Sequence, residues 1–91
     1  MTSQVTVILF GLKGGHASKT RLTEPVDSDM TVGDILLRLR EAAQPGERLA
    51  TVDPEALLVL VNGQPINYLD GWETCVRPGD EITYMLKAAG G

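Results

Sequence analysis

The 91-residue chain has only one cysteine and one histidine. One cysteine cannot form an intramolecular disulfide, and the two residues together fall short of the four ligands of a structural zinc site. Basic residues are also few, with 8 lysines and arginines against 12 aspartates and glutamates and a formal net charge of −4. Non-specific nucleic-acid binding and docking on anionic lipid both require positive charge. We therefore predict no metal site, no nucleic-acid partner and no membrane partner.

Long apolar runs are missing as well. The stretch Val5–Leu12 has no lysine or arginine before it and is far shorter than the ~20 residues of a membrane helix, so we expect a cytoplasmic protein. At about 100–200 residues per domain, the chain is long enough for one domain only. A deep catalytic cleft would compete with the small core of such a domain. We therefore expect a protein that is acted upon by others, with no catalytic residues of its own and no stably bound cofactor.

The segments that are present predict five strands and one main helix. The strands are expected where β-branched and apolar residues cluster between turn signals: Val5–Phe10, about Thr20–Val26, Leu57–Val61, a short return strand through Ile66, and Ile82–Leu86. Asn62-Gly63 favours a tight hairpin, and Pro78-Gly79 suits the centre of a type II turn.

The helix prediction depends on a cap and an apolar stripe. Thr31 can cap the helix, and Asp34 follows three residues later as in a capping box. One apolar face follows at helical spacing, made of Val32, Ile35, Leu36, Leu39 and Ala43. The order ββαβ(β)β therefore predicts an α+β fold, with a mixed sheet of four to five strands packed on one main helix.

The last five residues, Lys87-Ala88-Ala89-Gly90-Gly91, follow the final strand and have no apolar side chain large enough to pack. We therefore divide the chain into a domain at 1–86 and a flexible tail at 87–91. Glycine lacks a Cβ atom, so such a tail can lie extended in a narrow channel of another protein. It also leaves the carbonyl carbon of Gly91 open to attack, which makes Gly91 the candidate reacting residue.

Several features in order resemble the ubiquitin-like sulfur carriers, in particular the small subunit of molybdopterin synthase and the thiazole-synthesis carrier. The resemblance covers almost the whole chain and depends on the element order and four segments: Thr31-Val32-Gly33-Asp34, Val61-Asn62-Gly63, Pro78-Gly79-Asp80-Glu81 and the final Gly90-Gly91.

The resemblance implies a ubiquitin-like β-grasp fold and a reaction cycle on the C-terminus. An E1-like adenylating enzyme would use ATP to adenylate the Gly91 carboxylate, and a sulfur donor would convert it to a thiocarboxylate. An acceptor synthase subunit would then take the sulfur, with molybdenum cofactor biosynthesis as the first choice. Lys87, Ala88, Ala89 and Gly90 would thread into the partner.

Two other functions stay open on the same sequence. A ubiquitin-like protein modifier would be joined through Gly91 to lysines of target proteins, after the same activation step. A non-covalent β-grasp interaction domain would use no activation at all, because one fold can serve many functions.

The alternation of the strands predicts a docking face. If the threonine-bearing sides of the first and last strands face solvent, Ile8, Phe10 and Met85 lie together on the exposed side of the sheet. We predict that such an apolar patch, beside the root of the tail, is a docking surface for a partner. Alternatively, Trp72 or a loop covers it.

Other residues with reactive side chains have simpler explanations. The segment from Gly14 to Thr20 lacks the glycine spacing of a phosphate-binding loop, and a strand rather than a helix follows it. We expect Cys75 to be a semi-buried structural thiol and His16 a solvated loop residue. Ordinary surface positions are expected for the acidic residues Glu24, Asp27 and Asp29.

Overall fold

The computed structural model describes residues 3–15 and 17–87. The predictions made for His16 and for 88–91, including Gly90 and Gly91, lie outside these residues. The described residues form two α-helices and five strands, in the order β1 (Gln4–Phe10), β2 (Lys19–Pro25), α1 (Val32–Ala42), α2 (Arg48–Thr51), β3 (Leu57–Val61), β4 (Gln64–Pro65) and β5 (Glu81–Leu86). Short 3-10 helices occupy Pro54–Ala56, Ile66–Tyr68 and Gly71–Glu73.

The strands form one mixed sheet in the order β2-β1-β5-β3-β4. The central pair, β1 and β5, is parallel, and the other pairs are antiparallel. The β2 strand lies at an edge of the sheet, as its terminal Pro25 indicated. The predicted α+β architecture of five strands and one main helix is therefore confirmed.

Helix α1 begins where the sequence predicts. The Thr31 hydroxyl accepts a hydrogen bond from the Asp34 backbone N–H at 3.1 Å, and the Asp34 carboxylate accepts one from the Thr31 N–H at 3.0 Å. Two of the unpaired donors of the first turn are thereby satisfied. The helix ends at Ala42, just before Gln44-Pro45-Gly46.

The core lies between α1 and one face of the sheet, which we call the inner face. This face consists of alternate strand residues, and the helix contributes its apolar stripe. The core includes Val5, Val7 and Leu9 of β1, Ile82 and Tyr84 of β5, Leu57, Val59 and Val61 of β3, and Val32, Ile35, Leu36 and Leu39 of α1.

Tyr84 joins the central strand to the helix. Its side chain is fully buried, and its hydroxyl donates a 2.7 Å hydrogen bond to the backbone carbonyl of Val32, the first residue of α1. Burial, and secondarily the negative charge of Glu24, raises the pKa of the Tyr84 phenol well above its ordinary value. The phenol is therefore kept protonated as a donor.

The two predicted turns form as expected. Asn62 and Gly63 have positive φ values of 50° and 85°, which is the backbone of a type I′ hairpin turn. Gly79 has a φ of 90°, and the Asp80 N–H donates to the Arg77 carbonyl at 3.0 Å. Glycine is favoured at such a position because it has no Cβ to clash.

The structure differs from the predicted elements in two places. The segment before β3, where the sequence predicts neither a helix nor a strand, contains α2, which is held by the buried side chain of Leu49. The return strand does not reach Ile66, because β4 stops at Pro65 and Ile66 begins a 3-10 helix. Proline has no backbone N–H to continue the ladder.

Candidate functional site

The outer face of the sheet, opposite α1, carries an apolar row at the end where β5 leads into the tail. Strand pairing places Lys19, Phe10, Met85 and Leu58 side by side across β2, β1, β5 and β3. We call these four residues the tail row. Phe10, Met85 and Leu58 are half-buried, and the Lys19 ammonium lies 5.7 Å from the centre of the Phe10 ring. This distance is within the range of a cation–π contact.

Apolar character decreases away from the tail. The next row holds Arg21, Ile8, Thr83 and Leu60, and the row beyond it holds Thr23, Thr6 and Glu81. The outer face is therefore apolar at the tail end and polar at the opposite end. A partner docked on the apolar end would lie beside the beginning of the tail.

The three predicted docking residues lie on one face of the sheet, but one of them, Ile8, is buried and not exposed. Ile8 pairs with Thr83, and Phe10 pairs with Met85, all on the outer face. Ile8 is only 6% exposed and Thr83 only 8%, so the prediction that Ile8 is exposed is wrong. Ile8 lies in the interior strand β1, between Arg21 of β2 and Thr83 of β5. Phe10 and Met85 form the accessible part.

Leu58 and Leu60 were missed as outer-face residues. The apolar run Leu57–Val61 predicts a strand buried on both sides, yet burial alternates along it, with Leu57, Val59 and Val61 buried and the other two half-buried. A continuous apolar run does not show which of its faces is covered. The pairing of Leu58 with Met85, which only the fold reveals, extends the apolar patch across β3.

The alternative that Trp72 covers this patch is wrong. Trp72 packs against the core, on the helix side of the sheet. Its carbonyl oxygen would lie 3.2 Å from a Cβ atom at Gly33, near the start of α1. The indole therefore cannot shield the outer face.

The root of the tail is fixed to the domain at Lys87. The Lys87 backbone N–H donates to the Ala56 carbonyl at 2.9 Å, and its ammonium donates to the Glu55 carbonyl at 3.0 Å. Both acceptors belong to the 3-10 helix Pro54–Ala56. Lys87, which the sequence assigns to the tail, is thus hydrogen-bonded to the domain.

The other candidate residues take up surface positions. Cys75 is exposed rather than semi-buried, which corrects the expectation; it forms an isolated β-bridge with Thr31 at the surface. Glu24 lies 3.8 Å from the guanidinium of Arg38, and Asp27 and Asp29 are exposed. Among residues 3–15 and 17–87, no group of three or more His, Cys, Asp or Glu side chains could hold a metal ion.

The segment around Ser18 does not have the structure of a phosphate loop. It closes a β-hairpin, and the Ser18 hydroxyl donates to the Gly15 carbonyl at 2.7 Å. Strand β2 begins at Lys19, where a phosphate loop would lead into a helix.

In the described part of the chain no helix has the length and apolar composition needed to span a membrane.

Comparison with known proteins identifies the fold. No protein-family model and no curated protein sequence matches the chain. Solved structures do match over nearly its full length. The HVO 2177 protein of Haloferax volcanii is 29% identical, with a TM-score of 0.65, over 98% of this chain and 89% of that protein. The small archaeal modifier protein 1 of Methanosarcina acetivorans is 24% identical, with a TM-score of 0.64, over 100% and 99% of the two chains. A ubiquitin from Caldiarchaeum subterraneum is 14% identical, with a TM-score of 0.59, over both full chains.

The chain has a ubiquitin-like β-grasp fold. The β-grasp fold that the family resemblance implies is therefore confirmed. In this β-grasp domain one face of the sheet packs on α1, and the last strand, β5, is central. The tail consequently starts from the middle of the sheet, beside the tail row, and not from an edge strand.

Proposed function

We propose that this protein is a ubiquitin-like carrier whose Gly91 carboxylate is activated by an E1-like adenylating enzyme. The observation that supports the proposal is the position of Lys87. The chain leaves the central strand β5 at the apolar end of the outer face, so an enzyme docked on Phe10, Met85 and Leu58 would receive the tail directly beside its contact surface.

The proposed chemistry begins with ATP bound to the enzyme. A Gly91 carboxylate oxygen attacks the α-phosphorus of ATP, pyrophosphate leaves, and an acyl adenylate forms. A hydrosulfide equivalent from a sulfur donor then attacks the carbonyl carbon and displaces AMP, which yields the thiocarboxylate. Gly90 and Gly91 have no Cβ, so the channel and the nucleophile can approach the backbone closely.

The carrier itself would contribute recognition and not catalysis. Its outer face would supply the docking surface. The tail at residues 87–91 would supply the segment that enters the partner. An acceptor synthase subunit then takes the sulfur; molybdopterin-type cofactor synthesis in the cytoplasm is our first choice for this step.

A protein-modifier function is the second candidate. It is favoured by the similarity to a protein named small archaeal modifier protein 1, which aligns with the chain over its full length. In this case a thiol of the activating enzyme displaces AMP to form a thioester, and a lysine amine of a target then attacks the thioester carbonyl. The activation step is the same in both candidates.

Intact-mass spectrometry of the chain isolated from its own cells tests the proposal. A carrier gives a species in which one oxygen is replaced by sulfur, whereas a modifier gives larger proteins that carry the chain on lysine. Deletion of Gly91, or addition of a residue after it, should abolish both products. Unmodified wild-type chain under all conditions, or modification that persists without Gly91, would contradict the proposal.

A further inference from the structure

A groove surrounds the point where the tail begins. A surface cavity of about 420 Å³ is lined by Leu57, Leu58, Pro65, Asn67, Tyr68 and Lys87. A second cavity of about 330 Å³ shares Leu57, Asn67 and Lys87 with it and extends toward Trp72. Because they share these three residues, the two cavities form one groove around Lys87, which we call the root groove.

Tyr68 is the most exposed large apolar residue in the described part of the chain. Its side chain is 82% exposed, and its neighbour Leu69 is 39% exposed. The residue is nevertheless held by a fixed backbone, because the 3-10 helix Ile66–Tyr68 is anchored by Ile66, which is buried in the core, and closed by a 2.9 Å hydrogen bond from the Leu69 N–H to the Ile66 carbonyl. An exposed tyrosine on an anchored backbone is typical of an interface anchor, since it buries a large area at low entropic cost.

The length of the tail limits the distance between Lys87 and the reacting atoms of the partner enzyme. Lys87 is fixed to the domain by its two hydrogen bonds, and four residues separate it from the carboxylate of Gly91. Four fully extended residues span at most about 14 Å. If Gly91 reacts, the reacting atoms of the enzyme must come within this distance of Lys87. The enzyme surface around its tail channel must then lie against the residues that surround Lys87.

The root groove is also continuous with the outer face. Leu58 belongs both to the tail row and to the lining of the Tyr68 cavity. Among the described residues that line this cavity, Lys87 is the only charged one. A surface that fits here is therefore apolar, with hydrogen-bond acceptors or a carboxylate opposite the lysine.

We infer that the root groove, with Tyr68 as its anchor, is a second part of the docking surface for the enzyme that activates Gly91. The inference rests on the proposed function, and it adds a contact that the sheet face alone does not provide. Binding on both sides of Lys87 would hold the tail in line with the channel, whereas binding on the tail row alone would leave the domain free to pivot about that row.

The kinetic test compares Tyr68→Asp and Tyr68→Phe with Leu37→Asp as a matched control. Leu37 is 61% exposed on α1, away from the root groove. The assay is ATP–pyrophosphate exchange by the adenylating enzyme purified from the source cells. We expect Tyr68→Asp to raise the KM for the carrier about tenfold with little change in kcat, and the other two variants to resemble wild type. Both positions are exposed enough for the three variants to retain the fold, which thermal unfolding verifies.

Equal KM values for Tyr68→Asp and wild type would overturn the inference. The Gly91 deletion is measured in parallel: if it abolishes exchange while Tyr68→Asp is normal, the root groove is wrong and the proposed function stands. If the deletion retains exchange, the proposed function itself fails.

A photo-cross-linking amino acid placed at position 68 or 37 identifies the occupant. The expected result is a cross-link from position 68, but not from 37, to a protein that catalyses carrier-dependent pyrophosphate exchange. A cross-link from 68 to a second copy of the chain, to a protein without this activity, or to nothing would overturn the inference.

Discussion

The two faces of the sheet differ although they are made of the same strands. On the inner face, Leu9 and Tyr84 are fully buried beneath α1. Their immediate neighbours, Phe10 and Met85, point to the opposite side and remain half-buried. Alternate residues of one strand thus have different roles. The inner-face residues stabilise the fold, and the outer-face residues are available for recognition.

This division means that substitutions of sequence neighbours should have separable effects. An inner-face change should alter the free energy of unfolding and leave activation of the folded protein intact. A substitution on the outer face at the tail end should impair activation and leave the free energy of unfolding nearly unchanged. Substitutions on the two faces test whether stability and activation separate in this way.

Leu9→Ala should reduce the free energy of unfolding by about 3 kcal/mol, because it removes a fully buried side chain and leaves a cavity. Urea unfolding monitored by circular dichroism measures the loss. The rate of activation, assayed well below the unfolding temperature, should stay within about twofold of wild type. A loss of activation in protein shown to be folded would contradict the separation of the two faces.

Phe10→Asp should lower kcat/KM for activation about 30-fold, equivalent to about 2 kcal/mol, because it places a charge in the centre of the apolar docking surface. Thr6→Asp is the matched control, since it lies on the same strand and the same face at the polar end. The control should have nearly normal kinetics. Similar losses for the two variants, or none for Phe10→Asp, would show that the tail row is not the docking surface.

Tyr84→Phe should cost about 1 kcal/mol at neutral pH, or about 4–8 °C in Tm, because the buried hydrogen bond to Val32 is lost. The difference from wild type should decrease above pH 10. In that range the unfolded phenol ionises while the folded one, with its raised pKa, stays protonated. The unfolded state then binds fewer protons, so wild-type stability falls by about 1.4 kcal/mol per pH unit.

Unfolding curves of wild type and Tyr84→Phe from pH 7 to 11 measure this effect. The variant removes the Tyr84 contribution, and the other titrating groups cancel in the comparison. If the stability difference between the two proteins stays constant above pH 10, the Tyr84 phenol ionises as readily in the folded protein as in the unfolded chain. Activation by the enzyme should be unchanged, because Tyr84 faces the core.

Lys19→Ala should have the smallest effect, a rise in KM of about two- to threefold at low salt that fades at high salt, as expected for an exposed charge beside an aromatic ring. Exchange kinetics at two ionic strengths measure it. An effect that does not depend on salt would indicate that Lys19 acts through packing on Phe10 and not through its charge.

Much of the fold could be predicted because its signals are local. The capping pair Thr31 and Asp34, the Asn62-Gly63 hairpin and the Gly79 turn each depend on a few neighbouring residues. The strand alternation likewise identified Phe10 and Met85 as members of one face, since their pairing follows from two predicted strands being adjacent.

Other features depend on residues distant in the sequence. The burial of Ile8 results from side chains on neighbouring strands, and Leu58 joins the patch only because β3 pairs with β5. Cys75 is exposed because its segment runs along the surface beside Thr31. Tyr68 shows no pattern in the sequence that distinguishes it from an ordinary loop residue.

The sequence by itself determined the main helix, the strands and their order, because helix caps, turn residues and strand periodicity act over a few residues. Its resemblance to the ubiquitin-like sulfur carriers implied the β-grasp fold. The sequence also indicated Gly91 as the candidate reacting residue. Only the tertiary structure decided which apolar residues remain accessible, and that the tail starts from a central strand between the tail row and the root groove. Accessibility and proximity depend on which strands pair, and strand pairing joins residues far apart in the chain.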